Sequence, residues 1–244
     1  ISGEYQVRPP FPFSPGLEVS GDVLEVAPGI TDFKPGDRVM AMVPWGGYAD
    51  QVLASETTVY KIPDTMNYVS AAAFPVAYGT THIGLKNKLK LQKNETLLVL
   101  GAAGGVGLTA VEIGKHIGAT VIAAAGNKDK LLTAKNYGAD HLIDYSQEDI
   151  RERVKQLTDG RGADCIFDPV GGPAFDISLR ATAQMGRILI VGFASNTIPQ
   201  VPANILLVKN ISLIGYFWGA HRKLAPGLIK NSFAELFELY RNGN

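Results

Sequence analysis

The sequence has 244 residues, 46% hydrophobic and 19% charged, which suits one large globular domain or two modest ones with a real core. Lys plus Arg balances Asp plus Glu, 23 against 23, so net charge gives no support to a nucleic-acid or anionic-membrane partner. The single Cys165 excludes an intrachain disulfide framework and a cysteine-cluster metal site. No apolar run approaches the ~20 residues of a membrane span and no signal peptide opens the chain, so a cytoplasmic protein is the expectation.

Residues 1–15 are proline-rich and irregular, and a start at Ile1 without Met predicts that the amino terminus of the gene product is missing. Leu17–Ala27 alternates and reads as strand. Pro28-Gly29 and Lys34-Pro35-Gly36-Asp37 read as turns. Arg38–Val43, Tyr48–Val52 and Val59–Ile62 read as further short strands, which makes the opening a small all-β unit closed by Pro63. Ser70–Lys88 reads as an Ala-rich helix disturbed by Pro75 and Gly79, with a domain boundary near it. Leu97–Leu100 then reads as a buried strand, Leu108–Ile117 as a helix stopped by Gly118, and Thr120–Ala125 as a second strand. Helices over Lys128–Tyr137, Asp149–Thr158 and Pro173–Ala183 alternate with strands over His141–Asp144, Cys165–Asp168 and Arg187–Val191. That alternation predicts an α/β fold with a parallel, doubly wound sheet. Ile211–Gly215 reads as one more strand and Ser232–Arg241 as a closing helix.

Strand, glycine turn, helix and strand in about 30 residues is a dinucleotide-binding unit. Laid on G-x-G-x-x-G, the loop reads Ala102, Gly104, Gly107, with an alanine in the first place. Gly104 lets the backbone approach a pyrophosphate, and Gly107 lets the helix pack close on the strand. Gly105 and Val106 lie between them, where the first N–H groups of the helix face phosphate. A glycine-rich turn in another α/β protein is the alternative, and the flanking strands weigh against it. An NAD site usually places Asp or Glu at the end of the second strand, ~20 residues on, to grip the ribose hydroxyls. Here that strand ends Ala123-Ala124-Ala125-Gly126-Asn127, without an acid, and Lys128 and Lys130 follow. The pattern predicts NADPH rather than NADH, with Asp129 able to compete for either lysine.

Asp168 and Val170 close one strand and Gly192-Phe193-Ala194 another, at the carboxyl edge of the sheet where such folds bind ligands. Phe193 suits a core position equally well. Covalent catalysis finds no support, since Cys165 has no evident His partner and no Gly-x-Ser-x-Gly elbow exists. Hydride transfer asks little of side chains, because the nicotinamide carries the chemistry. His82, His116, His141 and His221 show no metal-ligand spacing.

Three stretches in order, PGLEVSGDVLEVAPGITDFKPGDRVMA, AAAFPVAYGTTHIGL and GAAGGVGLTAVEIGK, resemble the medium-chain dehydrogenase/reductase superfamily. Within it the chain looks like the zinc-independent quinone oxidoreductases. The resemblance implies a partial GroES-like catalytic domain over residues 1–75, a Rossmann domain for NADPH over 76–219, and over 220–244 the start of a return to the first. It also implies missing first and closing strands, so that the chain is a fragment. In zinc-dependent relatives the stretch matching Pro15-Gly16-Leu17-Glu18 carries a metal-ligating His; here Leu17 stands there, and no metal is expected. Glu18 is expected to be structural, paired with an Arg. By resemblance Thr80 lies near the nicotinamide carboxamide, Lys130 and Tyr145 contact the 2′-phosphate, and Tyr5 lines the substrate pocket. Thr80 fits a helix threonine bonding back to a carbonyl as well, and Tyr5 an ordinary loop aromatic. Pro202–Gly215 resembles the family's dimer strand, which implies a homodimer. The implied activity is NADPH-dependent hydride transfer to quinones or activated alkenes. The alternatives are enone or enoyl-thioester reduction on the same scaffold, or a crystallin-like or sensing protein that binds NADPH without turnover.

Overall fold

The computed structural model of the chain describes residues 9–243. These form two compact units, one running up to Val76 and taking in Phe233–Gly243, the other Ala77–Ser232.

The first unit holds an antiparallel sheet of β1 (Glu18–Asp22), β2 (Arg38–Met42) and β3 (Val59–Lys61) in that order, with Glu18 opposite Met42 and Val39 opposite Lys61. The alternating run expected to continue as strand to Ala27 pairs only as far as Asp22. Val23 N–H still reaches Asp37 O at 3.0 Å, after which the chain enters the turn closed by Ile30 N–H on Ala27 O at 3.2 Å. Tyr48–Val52 is no strand. The Gly46, Gly47 and Tyr48 amides instead bond the Ser14, Gly16 and Pro15 carbonyls at 2.7, 3.1 and 2.9 Å, which holds this stretch as a loop packed on a loop. Gly16 (φ +101) allows that approach, since a Cβ on it would lie 2.8 Å from Gly47 Cα.

Arg38 organises the exit from this sheet. Its guanidinium donates to the Pro63, Asp64 and Met66 carbonyls at 3.1, 2.6 and 2.5 Å and lies 4.7 Å from the centroid of the Tyr68 ring. Tyr68 begins α1 (Tyr68–Ile83), which contains Pro75. A proline inside a helix removes one amide donor and pushes away the preceding turn. Glu18 repairs part of that defect: its Oε2 accepts the Val76 N–H at 2.8 Å. Among the described residues Glu18 thus meets a backbone amide where an Arg was expected. After Ile83 the helix widens, and Leu89 N–H reaches back five residues to Gly84 O at 2.8 Å.

In the second unit the order is β4 (Thr96–Leu100), α2 (Gly105–Ile117), β5 (Thr120–Ala125), α3 (Lys128–Asn136), β6 (His141–Asp144), α4 (Ile150–Leu157), β7 (Ala163–Asp168), α5 (Gly172–Ala181), β8 (Thr182–Ile190), α6 (Ala203–Lys209) and β9 (Ser212–Gly215). Then come α7 (His221–Leu224) and α8 (Pro226–Arg241), whose end belongs to the first unit. The strands form one parallel sheet in the order β6-β5-β4-β7-β8-β9, so the strand order reverses direction between β4 and β7. Both faces are covered, so β4 is buried throughout and apolar from Leu97 on. On one face Leu98, Leu100, Ile122, Ile166 and Ile188 pack with Ile150 and Val154 of α4 and Phe175 and Leu179 of α5. On the other, Leu97 meets α2, where a Cβ at Gly114 would lie 2.6 Å from Leu97 Cδ2. β8 begins five residues before the expected Arg187, through an irregular stretch at Met185 (φ +62). The stretch Pro202–Gly215, expected to be strand, is first the helix α6 and only then β9. Asn210, in the left-handed region at φ +53, ends α6 and turns the chain into the strand.

Candidate functional site

The sheet places nearly every residue singled out in the sequence at its carboxyl edge, around the point where strand order reverses. From the end of β4 the chain turns through Gly101 at φ +58. This corrects the reading of the glycine loop: the tight turn belongs to Gly101, while Ala102 is buried and its N–H bonds Ala124 O of β5 at 3.1 Å. The spacing Gly101, Gly104, Gly107 was the signal for it. A Cβ at Gly107 would lie 2.1 Å from Gly101 O, so the third glycine allows the helix to start against the loop.

Gly104 is the N-cap of α2 and supplies no capping side chain, whereas α3 and α4 are capped by Asn127 and Asp149. The first amides of α2, Gly105 to Gly107, therefore keep free donors. A Cβ at Gly105 would meet nothing within 4 Å, so the first turn of α2 is open on that side. Free amides, a positive helix end and open space fit the diphosphate of a dinucleotide. Thr81 ties α1 to this turn, its Oγ1 lying 3.1 Å from Val106 O and 2.7 Å from Thr109 Oγ1. Thr80, its neighbour on α1, is 6% exposed.

Beside β4, β7 ends at Asp168. Asp168 Oδ1 accepts the Val170 and Gly171 amides at 2.8 and 2.9 Å, and Oδ2 is buried without a partner. Burial pushes this carboxyl above the ordinary carboxylate value, and the two amides oppose the rise. The carboxylate thereby shapes the turn at Gly171 (φ +68) and Gly172 (φ +56). A Cβ at Gly171 would lie 2.9 Å from Phe193 Cδ1, and one at Gly101 would lie 3.0 Å from Val170 Cγ2. Ala194 N–H bonds Pro169 O at 3.1 Å. The structure thus gathers Gly101–Gly107, Asp168–Gly172 and Gly192–Ala194 at the ends of three adjacent strands. The Gly171-Gly172 pair was overlooked in the sequence, although two glycines after Asp-Pro-Val signal a left-handed turn.

A second group stands at the ends of β5 and β6. The Tyr145 ring lies against Gly126, where a Cβ would be 3.1 Å from Tyr145 Cε2. Asn127 Oδ1 accepts Lys130 N–H at 2.9 Å, and the side chains of Lys128 and Lys130 are exposed. Tyr5 lies outside the described residues.

Leu17 has no ligating atom, and among the described residues no three His, Cys, Asp or Glu side chains gather to hold an ion. His82 is buried with Nδ1 2.8 Å from Ser232 Oγ, and His116 is exposed. Cys165 sits on β7 near its amino end, away from this edge. Burial pushes its thiol up to about 12, against the opposing charge of Arg187, whose Nη2 is 2.9 Å from Sγ.

Residues 105–239 match the zinc-binding dehydrogenase family, and residues 1–64 match the alcohol dehydrogenase GroES-like domain. A quinone oxidoreductase-like protein 2 homolog from Nematostella vectensis is 44% identical over 242 residues, which is 99% of this chain and 66% of that protein. The chain thus spans about two thirds of that relative's length. A structure of Escherichia coli quinone oxidoreductase complexed with NADPH superposes with a TM-score of 0.90 at 28% identity, over 98% of this chain and 73% of that one. A structure of CurK enoyl reductase superposes with a TM-score of 0.85 at 25% identity, over 95% of this chain and 69% of that one. No helix among the described residues is long and apolar enough to cross a membrane. Loop, reversed strand order, small antiparallel sheet and relatives agree: the chain belongs to the medium-chain dehydrogenase/reductase superfamily, in its quinone oxidoreductase branch.

Proposed function

We propose that the protein is an NADPH-dependent reductase that delivers hydride to a quinone or another conjugated, electrophilic acceptor without using zinc. One observation carries the cofactor choice: β5 ends at Ala125-Gly126-Asn127 with no carboxylate, and two exposed lysines follow at the start of α3. A carboxylate there would repel a 2′-phosphate, and lysines favour it. The NADPH bound in the E. coli relative supports the same reading. Bound NADPH supplies the hydride, and the chain's own residues bind and orient it. The free amides of Gly105–Gly107 take the diphosphate, and Lys130, with Tyr145 against Gly126, takes the 2′-phosphate. The Asp168-held turn and Gly192–Ala194 wall the nicotinamide end, and Thr80 lies at its carboxamide. No residue of this set needs to form a covalent bond to substrate.

Dissociation constants for NADPH and NADH, measured by fluorescence quenching with the wild type and Lys130→Ala, test this. A charge-assisted contact worth about 1.5–3 kcal/mol gives roughly a ten- to hundredfold preference for NADPH. The variant is expected to lose most of that preference and to bind NADH unchanged. Equal affinity for both cofactors in the wild type would overturn the assignment.

The likeness to CurK enoyl reductase favours a second reading, reduction of an enoyl thioester or enone. NADPH oxidation by the full-length protein against quinones, enones and enoyl thioesters separates the two. Tight NADPH binding with no oxidation on any acceptor would favour a binding protein without turnover. We further propose that two copies associate through β9, the last strand of the sheet.

A further inference from the structure

Outside the cofactor edge, the second unit has a cleft of about 520 Å³ at the opposite, amino-terminal edge of the sheet, against the starts of β7 and β8. Five cations from four separate places in the fold line it: Arg151 and Lys155 from α4, Arg161 from the turn before β7, Arg180 from the end of α5, and Lys209 from the end of α6. None of the thirteen lining residues is acidic.

Cations at helix C-termini are ordinary, because they complement the helix dipole. Lys209 does this here, its Nζ donating to Arg180 O at 3.0 Å and to Thr182 O. Convergence on one concave space is not explained that way. Arg151 and Lys155 are one helical turn apart, a spacing at which like charges repel. Glu152, 3.9 Å from Arg151 and 3.5 Å from Lys155, serves both, and Asp164 serves Arg161. Five cations against two carboxylates leave an excess of three positive charges around the cleft. The strain shows at Lys209: burial, then the charges of Arg151 and Lys155, push its ammonium below the ordinary lysine value.

We propose that this cleft binds a small polyanion bearing two or more phosphate groups, at a site separate from the cofactor. The volume lies in the range of small-molecule sites, and a ligand of three or more negative charges matches the excess. Arg180 offers a planar fork for one phosphate, and Lys155 and Arg151 a second point of charge. Gln184 and Asn204 add neutral polar groups to the rim, while Ile205 and Val208 give one wall an apolar surface. A volume of about 520 Å³ suits a short phosphate chain or a phosphorylated metabolite rather than a polymer.

Calorimetric titration of the full-length protein with tripolyphosphate, at constant ionic strength and with one equivalent of NADPH per chain, tests the proposal. The cofactor's own phosphate contacts are then occupied, so the outcome does not depend on the reductase assignment. One site per chain is expected. Lys155→Glu with Arg180→Glu should weaken it by roughly a hundredfold, about tenfold for each cation removed, while Lys130→Ala leaves it unchanged. If the double charge reversal fails to fold, Arg180→Gln alone should still cost about tenfold. Adenosine triphosphate binding as tightly as tripolyphosphate would identify the phosphate chain as the recognised part, and tighter binding would add a base or sugar contact to the same site. Binding no stronger than that of matched chloride, equal binding by the variants, or binding of long polyphosphate or RNA without tripolyphosphate would overturn the proposal.

Discussion

Gly105 and Gly107 stand two residues apart and answer to different constraints. A Cβ at Gly107 would sit 2.1 Å from a backbone oxygen that cannot move without rebuilding the turn, whereas one at Gly105 meets nothing within 4 Å. Gly107→Ala should lower stability by about 1–3 kcal/mol in denaturant melts. Gly105→Ala should melt like the wild type, and any effect it has should appear in cofactor affinity. Two carboxylates make opposite pH predictions. Burial works to raise Asp140, but Lys115 and the Val121 amide outweigh it and hold the group below the ordinary carboxylate value. Its stabilisation is present above the unfolded-state value and is lost as pH falls through the lower folded one. Asp140→Asn should therefore melt below the wild type at neutral pH, and the gap should close under strongly acid conditions. Glu18 has the reverse sign: burial raises it, so its contribution is complete below the unfolded value and is lost as pH rises through the folded one. Glu18→Gln, which keeps an acceptor for the Val76 amide, should be tolerated at neutral pH, while Glu18→Ala should cost about 1–3 kcal/mol by leaving that amide unpaired.

At the scale of elements, the strands flanked by glycines were the easiest to read. β5 and β6 lie over Thr120–Ala125 and His141–Asp144: a short apolar run bounded by turns leaves β5 little alternative to a buried strand, and β6 pairs beside it at the sheet edge. The far end of β1 and the expected strand at Tyr48–Val52 went wrong for the opposite reason. Alternation describes a strand that has a partner, and at those positions pairing is decided by loops far along the chain. α6 was missed because Pro202–Gly215 was taken whole by its resemblance to a strand, whereas Asn210 turns the chain first and the strand lies where Ile211–Gly215 was read. β9 is short, and Leu213 turns inward onto the core, leaving Ile214 on the other face. Light scattering should give a dimer for the wild type. Ile214→Lys should shift it toward monomer while leaving NADPH affinity unchanged, and a monomeric wild type would refute the β9 proposal.

For the molecule as a whole, the dinucleotide unit was legible because phosphate binding needs a fixed local sequence of strand, glycines and helix. The roles of Gly101, Asp168 and Gly171 were not, since each depends on what lies across the strand-order reversal. Asp168 holds a turn through backbone amides, which no side-chain pattern announces. Elemental analysis of the full-length protein should find well under one zinc per chain, and near-stoichiometric zinc resisting mild chelation would refute the zinc-free reading. The setting of Cys165 has a practical side. The sole thiol of this sequence is buried, held protonated at neutral pH and flanked by Arg187. Alkylating dyes and nitroxide reagents will find it silent. A cysteine placed at exposed Gln200, in the loop that follows Gly192–Ala194, would then carry a single spectroscopic probe without any need to remove the native residue.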